Sequence, residues 1–190
     1  MKDFFKLYIT HSNYIFKFWT TQVSMSVFGI IVSFATFASG SVTLRIIGAV
    51  FSIAFFIFLM YDMMFNYGFL NSVKYAKDKD TVNPWEGLKI AALSYAPTML
   101  FTLIYIILDL IDLDNAAGII KIILFFLFGS YDGILLFINN NEYLNMIIPI
   151  LLLIPGLAAC TLGFQLGIRD KPIRKMLGIN ISPPKAPKNK

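Results

Sequence analysis

The side chains here whose type and spacing could do chemistry are mainly carboxylates. Asp109, Asp112 and Asp114 crowd one short stretch, and Asp132 follows in Gly129-Ser130-Tyr131-Asp132-Gly133. Together they form a candidate acidic cluster that could gather cations by field attraction. Asp109 and Asp112 sit one turn apart near a helix C-terminus, where carboxylates oppose the local partial charge. Asp beside Gly is also ordinary turn chemistry, so capping or interfacial solvation is the expected role of Asp132.

Other chemistry is sparse. The single Cys160 forms no internal disulfide and no cysteine-based zinc site. A thiol nucleophile needs a base within reach, and the single His11 is expected on the cytoplasmic side, away from the depth of Cys160. No H-E-x-x-H, P-loop or G-x-S-x-G is present. The chain therefore reads as a non-enzyme with no cofactor and no metal centre.

Hydroxyl and small residues are more ordered. Gln22, Ser26, Gly29, Ser33, Thr36 and Gly40 recur at helical spacing and fall on one face. Ser94, Thr98, Thr102, Tyr105 and Asp109 do the same, with Tyr95 beside them. Ala159, Gly163 and Gly167 follow one another every fourth residue. Small residues let helix backbones approach, and hydroxyls bond across helices where lipid offers no partner. Packing is the expected use of these faces; a polar pathway along the first two is the alternative.

The elements that carry these residues are membrane spans. The chain is 57% hydrophobic and only 14% charged. Four long stretches carry no charge: Phe18–Leu44, Ile46–Tyr61, Ile90–Leu108 and Tyr143–Ile168. A bilayer core of about 30 Å takes about 20 apolar helical residues. The spacing predicts spans over Gln22–Ala38, Thr43–Met64, Leu88–Leu110 and Leu144–Ile168. Pro97, Pro149 and Pro155 inside them permit kinks. Residues 2–17 place Lys2, Lys6 and Lys17 opposite Phe4, Phe5 and Phe16, which predicts an amphipathic helix in the headgroup plane. Residues 1–180 form one membrane domain, and 181–190 a basic, proline-rich, disordered tail.

Segment 117–138 is ambiguous. Its apolar run Ala116–Phe128 holds Lys121, is too short to cross, and is followed by two glycines and Asp132. Basic residues decide between crossing and re-entry. Without a crossing there, 14 Lys and Arg lie on one side and Arg45 and Lys121 on the other, counted along the sequence. With a crossing the split is 9 to 7. The positive-inside rule favours four crossings and a re-entrant or broken segment.

The expected fold is thus an all-α membrane bundle in a bacterial cell membrane, with both termini cytoplasmic. Its net charge of +5 suits basic loops at an anionic leaflet better than nucleic acid. The expected role is an accessory or small subunit that works through a membrane-protein partner or as a homo-oligomer. A small oligomeric transporter or channel for a cation or small solute is the alternative.

Overall fold

A computed structural model describes residues 2–74, 83, 85–138 and 142–170. The lysines expected in the loop at 75–82 and the tail at 181–190 lie outside this range. Every regular element among the described residues is helical: α1 (Lys2–Ala38), α2 (Val42–Lys74), α3 (Glu86–Leu110), α4 (Asp114–Leu127), α5 (Asp132–Ile138) and α6 (Glu142–Ile168). A single 3-10 turn, Gly129–Tyr131, joins α4 to α5. Four stretches are long and apolar enough to cross a membrane: His11–Ala38, Val42–Ser72, Glu86–Leu110 and Ile147–Ile168. α3 and α6 run through Pro97, Pro149 and Pro155 without a break in assignment.

The stops between helices follow from local chemistry. Gly40 takes a left-handed φ of 69° and donates its amide to Phe37 O at 3.1 Å, which ends α1. Arg45 stacks its guanidinium over the Phe37 ring at 4.2 Å and reaches Phe37 O at 3.4 Å. α3 ends on Asp112, which also has a positive φ, 54°. The amide of Leu113 bonds Leu108 O and that of Asp112 bonds Asp109 O, the paired bonds of a Schellman stop. Aspartate tolerates this conformation better than most side chains. Asp112 therefore has a backbone role that its charge did not reveal.

Residues 2–17 are helical, as their periodicity predicts. They are not a separate element, however. They form the first turns of the same unbroken helix as span 1. With 37 residues, α1 is about 55 Å long, well beyond the hydrocarbon thickness.

Glycines set how the helices run against one another. Gly163 lies on the backbone of Tyr61 and Phe65, and Gly167 on that of Phe65 and Phe69. Gly68 lies on Phe164 in return, and the Cys160 thiol sits 4.0 Å from Met60 O. Residue numbers rise together along both helices, so α2 and α6 are parallel. By the same logic α3 and α6 are antiparallel, with Gly87 against Phe164 and Gly156 against Tyr95. α1 and α2 are antiparallel, with Phe28 beside Phe51 and Phe55, and Tyr14 beside Tyr67.

This register decides the topology. α4 and the 3-10 turn plus α5 could count together as a fifth span, but they are bent by 75°. A crossing there would reverse α6 and make it antiparallel to α2. The parallel pair instead requires segment 114–138 to begin and end at one end of the bundle. That end carries the Ser39-Gly40-Ser41 turn and is called the turn end below; the other is the terminal end. Cysteines placed at Asn115 and Glu142 of a Cys160→Ala protein should react with an impermeant thiol reagent from one side. Cysteines at Asn83 and Arg169 should react only from the other. Opposite labelling of 115 and 142 would contradict the re-entrant hairpin.

Candidate functional site

Segment 114–138 enters from the turn end and stops inside the bundle. α4 has 14 residues, about 21 Å of helix, so its C-terminus reaches roughly half-way through a bilayer core. Backbone that leaves helical geometry at this depth must find partners inside the protein. α1 supplies them. The Ser26 hydroxyl lies 2.6 Å from Leu127 O at the end of α4 and 2.9 Å from Gln22 O. One proton serves one acceptor at a time, and the shorter distance is to the hairpin. Gly29 meets the backbone of Gly129 and Ser130 directly, and Gly129 in turn meets Ser26 and Ile30. A Cβ on either glycine would occupy its neighbour's backbone or side chain.

The polar face of α1 therefore docks the hairpin. Gln22, Ser26, Gly29 and Ser33 are buried, Thr36 is half-buried, and Gly40 is exposed in the turn. On α3, Ser94, Thr98, Thr102 and Tyr105 are buried and Asp109 is half-buried. Two of these hydroxyls return to their own helix: Ser94 to Ile90 O at 2.7 Å and Thr102 to Thr98 O at 2.9 Å. Among the described hydrogen bonds, the Gln22 amide to Thr98 Oγ1, at 3.0 Å, joins the two faces. The row Ala159, Gly163 and Gly167 is buried against α2.

Asp132 departs most from expectation. It opens α5 at the hairpin tip and is only 3% exposed, so interfacial solvation is overturned. No described hydrogen bond runs from a backbone amide to its carboxylate, so capping is not its role either. The Ser33 hydroxyl faces the carboxylate, while Oδ1 has no hydrogen-bond partner. Ser33 lies five residues before the end of α1, so Asp132 sits about 8 Å inside the turn end. It is buried where Asp112 is exposed and Asp109 half-buried. Among the described residues no three His, Cys, Asp or Glu side chains converge as a metal site.

Other interior oxygens lie near this level. Gly133 abuts Ala49, and Tyr131 meets Phe56 edge-on at 5.7 Å. Ser52, one turn from each on α2, is thereby aimed at the hairpin tip. The oxygens of Ser52, Ser130, Tyr131 and Tyr95 and Oε1 of Gln22 are buried without a partner. Such groups cost free energy unless something bonds them. The sequence signal for this was the Gly-Ser-Tyr-Asp-Gly interruption of an apolar run.

A second polar cluster escaped sequence reasoning. At the terminal end, Tyr67 Oη lies 2.7 Å from His11 Nδ1 and 3.3 Å from Glu86 Oε1. His11 Nε2 is 3.4 Å from the same carboxylate. These side chains tie α1, α2 and α3 together. Their sequence separation hides the grouping.

No family model matches this chain, and no curated protein or solved structure is similar to it. Function must be argued from the geometry. The docking itself is open to test by thermal unfolding in detergent or nanodiscs. Gly29→Ala should destabilise by about 1–3 kcal/mol, the usual range for overpacking. Gly118→Ala, on α4 with open space around its Cβ, should be neutral or stabilising by up to about 1 kcal/mol. Equal effects would remove the backbone-on-backbone contact from the account.

Proposed function

We propose that this is a small membrane protein that passes a small cation across the bilayer, with Asp132 as the group that holds it. The supporting observation is a buried carboxylate with an unpartnered oxygen at the tip of a re-entrant hairpin. An ionisable group in such a place is expensive and is ordinarily kept for function. Broken helices inside membranes line binding sites and pathways in transporters and channels. The polar faces of α1 and α3, joined through Gln22 and Thr98, extend from this level toward the terminal end. The carboxylates Asp109 and Asp112 at the turn end raise the local cation concentration.

Orientation follows from charge. The terminal end, with Lys17, Lys89 and Arg169 beside it, is the cytoplasmic face of a cell membrane by the positive-inside rule. The accessory-subunit reading has no comparable feature behind it. The large exposed apolar side chains, such as Ile31, Phe34, Phe58 and Ile119, are what lipid covers.

Flux into proteoliposomes tests the reading. The full-length protein should carry sodium, potassium or protons down an imposed gradient, and Asp132→Asn should reduce that flux by about tenfold or more, as loss of the binding charge implies. Asp112→Asn should insert and leave most flux intact. A correctly inserted protein with no flux above empty liposomes, or an Asp132→Asn protein as active as the parent, would refute it.

A further inference from the structure

We infer that the interior site binds a monovalent alkali cation, held by the oxygens of Asp132, Ser33, Ser52 and Ser130. This rests on the reading of Asp132 as a cation-holding group and names the class of cation.

Charge narrows the class first. One carboxylate supplies one negative charge, and among the described residues no group of three or more His, Cys, Asp or Glu side chains gathers there. Calcium sites gather several carboxylates, and magnesium keeps its waters beside one or two. Zinc and its neighbours take several nitrogen or sulfur ligands, and among the described residues no three such groups converge. A hard monovalent ion suits a site of oxygens with a single charge.

Geometry supplies the ligands. Asp132 comes from α5, Ser130 from the 3-10 turn, Ser33 from α1 and Ser52 from α2. Ser33 faces the carboxylate, Ser130 is beside Gly29, and Ser52 lies between the α2 residues that abut Gly133 and Tyr131. All four side chains are more than nine-tenths buried. Asp132 Oδ1, Ser52 Oγ and Ser130 Oγ each lack a partner. A proton on Asp132 would donate to one further oxygen at most and leave the rest without a partner. A cation uses lone pairs from all of them.

The test is thermal unfolding of the full-length protein in nanodiscs, titrated with sodium or potassium chloride against choline chloride at equal ionic strength. At least one alkali ion should raise the melting temperature saturably, because a ligand bound only by the folded state stabilises it. Ser52→Ala and Ser130→Ala should each weaken the apparent Kd by about tenfold, a loss of about 1.4 kcal/mol. Ser72→Ala, whose hydroxyl is already bonded to Phe69 O, should leave it unchanged. Asp132→Asn should abolish the shift; if it fails to fold, the two serine variants still decide. No difference between alkali and choline salts, or equal shifts in the serine variants, would overturn the inference. Asp132-dependent flux without an alkali shift leaves the transport reading standing and this one refuted. An alkali shift without flux does the reverse.

Discussion

Lipid hydrocarbon offers no hydrogen bond, and this constraint shapes the whole bundle. A helix that stops half-way across leaves carbonyls and amides that water cannot reach. α4 stops there, so another helix must meet its end. Ser26 and Gly29 do this from α1, the first by a hydrogen bond to Leu127 O and the second by having no side chain. Once that seat is occupied, the hairpin tip is placed between α1 and α2. The position of Asp132 follows from it.

The small residues serve two different ends. On α6, Gly163 and Gly167 bring that helix onto the α2 backbone in parallel, the most extensive helix pairing in the fold. Without water there is little hydrophobic drive between helices in a bilayer, so close backbone packing carries the association. On α1 the same residue class accommodates non-helical backbone. A row of small residues therefore indicates close approach without saying what approaches. Gly156 shows a third case, since the Tyr95 hydroxyl sits where its Cβ would be.

Much of this was legible in the sequence. Four spans followed from uninterrupted apolar length, and the non-crossing segment from the distribution of lysines. The buried faces of α1 and α3 followed from helical spacing. What could not be read is which faces meet. Hydropathy is blind to the parallel pairing of α2 with α6, because both helices are apolar all round. The grouping of His11, Tyr67 and Glu86 depends on the register of three helices at once. Asp-Gly is common in turns, so sequence alone points to a solvated turn residue at Asp132. Only the docking of Gly129 on Gly29 shows that this turn lies within protein.

Two kinds of polar residue share the interior, and their difference bears on function. Ser94, Thr102 and Thr161 bond the carbonyl one turn back on their own helix, at 2.7 to 2.9 Å. These hydroxyls are satisfied wherever they sit and need no further partner. Ser52, Ser130 and Asp132 Oδ1 are not satisfied in this way. A fold that sought only close packing could place alanine at 52 and 130 and asparagine or alanine at 132 without changing the backbone contacts. Retaining a carboxylate and two unbonded hydroxyls at one depth costs stability in a low-dielectric interior. The cost falls at the hairpin tip, where the chain already departs from helical geometry. A cation shared among those oxygens would offset it, which a further packing contact could not do.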